Sequence, residues 1–316
     1  MSSSFPGTIN FTPLSLDDRA LLLPYLEAVP FPLCDYAFTN LYGWREYYDT
    51  RWAILGDSTL VISFVNNNYH HPVYMLPHCR ITESRKKAIE ELKAYCLHHN
   101  DPLIFFGVTP PCREGLEESF PHEFSFIWED LSIDYIYTRE KLAWLAGKKL
   151  QSKRNHINKF NKLYPNYTYE EIDSSKTEEY LCFVDNWLKE ENSQPSKSLQ
   201  AENEMIHRIL RAKEALGLLG GALRVEGKIV ALTLASKIND KVVDVHVEKA
   251  NVAFDGAYAK INNEFAKSLP ESIELVNREE DLGIPGLRKA KRSYQPDLMI
   301  EKGLAVRKPQ QSIREK

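Results

Sequence analysis

At 316 residues, with 43% hydrophobic and 27% charged residues, the chain has ordinary globular composition, which excludes a fibrous or disordered protein and exceeds what one hydrophobic core usually organises. Its 40 Lys and Arg against 44 Asp and Glu leave a net charge of −4, so nothing like a whole-molecule positive field is present to hold nucleic acid, and any basic site has to be local. The five cysteines, Cys34, Cys79, Cys96, Cys112 and Cys182, are scattered without a CxxC pair and suit reduced thiols; no basic n-region or apolar run of roughly 18 residues is present, and a cytoplasmic protein is expected.

Apolar residues at helical spacing after Ser15 predict one or two short helices over 16–29, kinked or divided at Pro24. A helix follows over 36–48, then two strands over 51–65 joined at Gly56-Asp57, a loop at 66–68, a strand at 73–76, a helix over 82–98 and an apolar strand at 103–108. A second series starts with a strand at 132–137 and a helix from Thr138 to about Ala146. It continues with a strand at 167–172, helices over 177–190 and 201–216, strands at 218–225 and 228–237 joined at Glu226-Gly227, and a strand at 242–248. A helix over 256–268, a strand at 273–276 and a closing helix and strand complete it. The repeated order predicts two α/β lobes, 1–135 and 136–308, each a mixed central sheet flanked by helices, with 309–316 as a loose tail.

Three segments carry ionisable groups in patterns that suit chemistry. Residues 147–162 hold six Lys or Arg and no acid; on a helix, Lys149, Lys153 and His156 share a face beside Arg154 and Asn155, while Leu150, Ile157 and Phe160 face the core. This face either binds phosphate or is merely solvated. In the strand 242–248, strict alternation puts Asp244, His246 and Glu248 on one face opposite the valines. Glu248, near the strand's C-terminal end, is the candidate general base; the bland reading is an exposed face of ion pairs. The segment 277–294 crowds both charge signs around Gly283 and Gly286, either as an ion-pair network or as a ligand loop. There Asn277, Arg278, Arg288 and Tyr294 join His246 and Asn262 as candidate acceptor-binding residues, and Asp281 and Tyr258 join Glu248 as candidate catalytic residues. The adjacent pairs His70-His71 and His98-His99 lack metal-ligand spacing, so no metal is expected, and no GxSxG, P-loop or GxGxxG motif occurs.

Taken together, DYIY (134–137) leading into GKKLQSKRNHINKF, HVEKAN with DGAYAKINNEF, and NREEDLGIPGLRKAKRSYQP resemble the family named after the C-terminal domain of bacterial phosphatidylglycerol lysyltransferases. The resemblance implies tandem GNAT-type acyltransferase lobes, related in architecture to the Fem peptidoglycan aminoacyltransferases, with the active site in the second lobe. It implies transfer of an acyl or aminoacyl group to an amine or hydroxyl of a small molecule, lipid or peptide. Lys149, Lys153, Arg154, Asn155 and His156 would bind the donor, either aminoacyl-tRNA or acyl-CoA, used as co-substrate with no tightly bound cofactor. The pyrophosphate loop of acyl-CoA users, Arg/Gln-x-x-Gly-x-Gly/Ala, is replaced here by residues 249–257 with a single glycine. The alternative is a catalytically inactive GNAT-like protein that binds an RNA, nucleotide or acidic ligand.

Overall fold

The computed structural model describes residues 8–309 apart from 30, 57, 66–70, 78, 80–81 and 192–194. The expected loop at 66–68, the turn residue Asp57, His70 and all but the first residue of the tail lie outside the described residues. In chain order the elements are β1 Thr12–Pro13, α1 Arg19–Leu26, α2 Phe38–Trp44, β2 Arg51–Leu55, β3 Thr59–Val65, β4 Pro72–Met75, α3 Thr82–His99, β5 Ile104–Val108, α4 Pro110–Ser119 and β6 Phe124–Thr138. There follow α5 Arg139–Trp144, α6 Gln151–Leu163, β7 Thr168–Glu171, α7 Thr177–Glu191, α8 Lys197–Arg211, α9 Lys213–Leu216, β8 Leu219–Val225, β9 Lys228–Asn239, β10 Val242–Ala250, α10 Ala257–Ser268, β11 Leu275–Asn277, α11 Pro285–Arg292 and β12 Leu298–Arg307.

Most of this order matches the periodicity. The exceptions have local causes. Helix α4 is hidden in the sequence because Pro110 and Pro111 read as breakers, yet they occupy its first turn, where a missing N–H costs nothing. Pro24 is contained within α1 and does not divide it. Strand β6 is far longer than the expected 132–137. The turn Glu226-Gly227 has positive φ at both residues, 51° and 79°, the conformation a tight hairpin requires.

The chain folds into two compact units that are not the linear halves expected from a cut at 135. One comprises 1–14, 48–132 and 301–316; the other comprises 15–47 and 133–300. The first has strand order β1-β2-β3-β4-β5-β12, with β4 and β5 parallel and the other described pairs antiparallel. The second has order β6-β11-β10-β9-β8-β7, with β10 and β11 parallel and the rest antiparallel. Each is an antiparallel meander, then a strand–helix–parallel strand crossover (β4-α3-β5, β10-α10-β11), then an antiparallel closing strand. That closing strand is contributed by the other half of the sequence: β12 pairs with β5, and β6 pairs with β11. This exchange, together with α2 packing on α8, moves 15–47 and 301–316 out of their sequence halves. A Cβ on Gly43 of α2 would sit 2.8 Å from Met205 Cγ of α8, so this crossing needs glycine.

In the second unit, one core cluster joins Tyr135 and Tyr137 of β6, Leu142 of α5, Val243 and Val245 of β10, Ala259 and Phe265 of α10, Val276 of β11 and Tyr294. A second joins Phe160 of α6 to Leu223, Ala250, Ala257 and Ile261. The apolar side of the basic segment thus points inward as its spacing predicts, each fully buried side chain contributing about 1.5–3 kcal/mol. Gly256, at φ 88°, lets the β10–α10 connection lie against α6: a Cβ there would be 2.4 Å from the His156 carbonyl oxygen.

Candidate active site

The site grows from two irregularities in β10. The first is the end of its parallel pairing: only Val242, Val243 and Asp244 register with β11, opposite Leu275, Val276 and Asn277, so the remainder of β10 runs on past β11. The second is a β-bulge. Val245 pairs with Ala235 and Val247 with Leu234, leaving His246 as an extra residue. Before the bulge, Val243 and Val245 face α10; after it, Glu248 and Ala250 do. The expectation that Asp244, His246 and Glu248 share one face is therefore wrong. Strict alternation fails at the inserted residue, and Glu248 lies on the face opposite Asp244 and His246.

On the α10 face, Glu248 Oε1 accepts a hydrogen bond from Arg278 Nη2 at 2.9 Å, and its Oε2 accepts one from Asn262 Nδ2 at 3.1 Å. Both partners of the ion pair are nearly buried, with side-chain exposures of 13% and 10%. The Arg278 guanidinium lies 4.8 Å from the Tyr294 ring centroid and 5.8 Å from that of Tyr137, and Lys153 Nζ sits 4.1 Å from the Tyr294 centroid. Burial lowers the Lys153 pKa, and Arg278 lowers it further against the pull of Glu248. Burial works against the Arg278 charge, but Glu248, Tyr137 and Tyr294 outweigh it and raise its pKa. Arg278 Nη1 and Asn262 Oδ1 are buried and have no hydrogen-bond partner among the described residues. One unused donor and one unused acceptor therefore flank the Glu248 carboxylate.

Successive residues leaving β11 go to opposite faces. Arg278 reaches Glu248, whereas Glu279 Oε1 lies 3.1 Å from His246 Nδ1 on the other face, where Asp244 Oδ2 is 3.4 Å from the same nitrogen. The exit from β11 is held by Asn277, whose amide donates to Asp134 at 2.6 Å and to the Pro32 carbonyl at 2.7 Å, and whose Oδ1 accepts from the Glu279 N–H at 2.7 Å. Asp281 accepts from Tyr135 at 2.6 Å, from Arg288 Nε at 2.8 Å and from the Gly283 amide at 2.8 Å. Burial opposes its ionisation, but these donors prevail and hold its pKa at about 2. The Lys291 ammonium donates to the carbonyls of Arg278 and Glu280, and burial lowers its pKa.

The structure gathers some candidates and disperses others. Glu248, Asn262, Arg278, Tyr294 and Lys153 form one constellation. Asp281, Arg288 and Asn277 brace the loop that carries Arg278, and His246 is on the opposite face. Arg154 donates to the carbonyls of Leu145 and Gly147, fastening the turn before α6. Lys149 lies in a single 3-10 turn (Lys148–Leu150) ahead of α6, and with Asn155 and His156 it is exposed. Lys159 pairs with Asp255, so the acid missing from the basic segment comes from the β10–α10 connection. Tyr258, one turn before Asn262 on α10, is 38% exposed. Tyr137 and Asp134 were missed. Their signal is a polar group inside the buried run Ile133 to Tyr137, where a carboxylate needs a purpose.

An antiparallel meander, a strand–helix–parallel strand crossover and a closing strand, repeated in tandem, define the class: the fold is of the tandem GNAT-like kind. A tandem GNAT protein from the clavulanic acid biosynthesis pathway shares it, with TM-score 0.52 at 11% identity over 96% of this chain and 100% of that one. L-PGS from Bacillus licheniformis matches with TM-score 0.59 at 16% identity, over 85% of this chain and 91% of that one. The chain belongs to the family described as phosphatidylglycerol lysyltransferase, C-terminal, whose model matches residues 27–306. A conserved protein of unknown function from Bacteroides thetaiotaomicron has TM-score 0.90 at 40% identity, over 95% of this chain and 100% of that one. An uncharacterized protein of Mycoplasmoides gallisepticum is 23% identical over 182 residues, 56% of this chain, and the chain spans 57% of that curated relative's length. Among the described residues no helix is long and apolar enough to cross a membrane.

Proposed function

We propose that the chain is an aminoacyltransferase in which Glu248 is the general base and Arg278 the electrostatic partner of the reacting carbonyl. The observation that carries this is the Glu248–Arg278–Asn262 cluster where β10 runs past β11, with Lys153 against Tyr294 beside it. An amine or hydroxyl of the acceptor forms a new bond to the ester carbonyl carbon while Glu248 takes its proton. Arg278 Nη1, whose hydrogen-bonding capacity is unused, meets the oxyanion. The bond to the leaving ribose oxygen then breaks, and that oxygen collects the proton from Glu248. The acceptor is the small molecule, lipid or peptide that presents this amine or hydroxyl, and a charged-tRNA donor locates the reaction in the cytoplasm.

The β10–α10 connection favours aminoacyl-tRNA over acyl-CoA as donor. Three amides at and beside its turn are engaged within the connection: Ala253 N–H donates to Asn251 Oδ1 at 2.9 Å, Phe254 N–H to Asn251 O at 3.0 Å and Ala257 N–H to Phe254 O at 3.0 Å. With those amides engaged and the His156 carbonyl resting on Gly256, the connection offers fewer donors to a pyrophosphate. Exposed Lys149 and His156, with half-buried Lys153, supply a short edge of hydrogen-bond donors for phosphates.

The test is a transfer assay with charged tRNA and acyl-CoA in parallel against amine and hydroxyl acceptors. Transfer from aminoacyl-tRNA is expected, and Glu248→Gln should reduce turnover by about 10² while leaving tRNA binding intact. A Gln variant that turns over at the parental rate removes Glu248 from the chemistry. Activity confined to acyl-CoA overturns the donor assignment, and tRNA binding with no transfer at all identifies an inactive binder.

A further inference from the structure

We propose that Asp244, His246 and Glu279 form a binding site for one divalent transition-metal ion of the zinc type, on the face of β10 opposite Glu248. This goes beyond the transfer reaction and does not depend on it. His246 Nδ1 lies 3.1 Å from Glu279 Oε1 and 3.4 Å from Asp244 Oδ2, and one donor atom from each residue lies within 4.8 Å of the others. Ligand atoms held about 2.0–2.2 Å from an ion stand about 3.0 Å apart along an octahedral edge and about 3.4 Å along a tetrahedral one. The imidazole is thus already spaced from both carboxylates as in a coordination shell.

The hydrogen bonding around the ring points the same way. His246 Nε2 is 2.8 Å from Ser236 Oγ. With Nε2–H donating to that hydroxyl, Nδ1 turns its lone pair toward the two carboxylates, the tautomer that a metal-ligating histidine adopts when its second nitrogen is anchored. Lys291, whose pKa burial lowers although Glu279 raises it, donates its hydrogen bonds to the carbonyls of Arg278 and Glu280, and Glu279 Oε1 also accepts from the Asn40 amide at 3.5 Å. Asp244 is fully buried and the His246 side chain is 2% exposed, while the Glu279 side chain, at 25%, leaves one way in. The order Ser236, His246, carboxylate also resembles a hydrolytic triad, but Ser236 is 3% exposed in the middle of β9 and offers a substrate carbonyl no approach. One imidazole with two carboxylates suits zinc better than magnesium.

The full chain, stripped with a chelator, is dialysed against Zn²⁺, Mn²⁺ and Mg²⁺, and Co²⁺ uptake is followed by its visible absorption. One equivalent of Zn²⁺ is expected, bound more tightly than Mn²⁺ or Mg²⁺. Glu279→Gln and His246→Asn should each weaken it by about 10-fold or more, while Cys34→Ser, in the neighbouring group Cys34, Asp35 and Glu280, leaves it unchanged. Glu279→Gln alters a partly exposed side chain, and its circular dichroism checks that the fold persists. Absence of stoichiometric uptake overturns the proposal. So does uptake that survives both variants, or that is lost only in Cys34→Ser.

Discussion

The parallel pairs β4–β5 and β10–β11 hold the same place in their respective units, each formed by a strand, a crossover helix and a second strand. In the first unit the paired positions are Tyr74 with Phe105 and Met75 with Phe106, and Tyr74, Met75, Phe105 and Val108 are all buried. In the second, Asp244 pairs with Asn277, and Glu248, Arg278 and Glu279 follow. One scaffold has thus been filled with aromatic packing in one copy and with ionisable groups in the other. Under the proposed function, stability in the first and chemistry in the second draw on the same strand ends, and substitutions at matched places should separate them.

The largest effect on stability is expected from Phe105→Ala, which empties a fully buried site in the first unit. It should cost about 3–5 kcal/mol in denaturant unfolding, with turnover per folded molecule unchanged. Glu248→Gln should do the reverse, losing activity while keeping most of the stability; a comparable loss of stability in both would erase the contrast.

Within the second unit, Asp281 separates bracing from catalysis through pH. Its folded pKa of about 2 is below the ordinary 3.8, so the ionised form stabilises the fold above pH ~4, and that stabilisation fades as the pH falls from about 4 to about 2. The difference is worth about 2 kcal/mol. Asp281→Asn should therefore be less stable at neutral pH, and the gap to the parent should narrow through that window in acid unfolding. A gap independent of pH would remove the brace.

The smallest contrast is between two neighbours on α6. Lys153→Ala should weaken tRNA binding about tenfold at low salt, through loss of a charge-assisted contact. Arg154→Ala should lower the melting temperature, because it frees the carbonyls of Leu145 and Gly147, with little change in binding. Equal losses of tRNA affinity would return Arg154 to the donor site.

The sequence by itself determined most of the order of strands and helices, β1 and α4 excepted, because burial of apolar side chains imposes a period of two or 3.6 that needs no partner to be legible. It also singled out the segments whose side chains fold together into the cluster: the basic run lacking acids, through Lys153, and Glu248, Arg278 and Tyr294 in two charged segments. Three matters were decided only in three dimensions. The exchange of β6 and β12 depends on which sheet edge each strand pairs with, and backbone hydrogen bonds carry no residue signature. The bulge at His246 separated Glu248 from Asp244, because one inserted residue inverts every later side chain. The division of labour among Lys153, Arg154, Asp281 and Arg278 followed from partners far along the chain: a charge in the sequence acquires a role only when folding chooses what it faces.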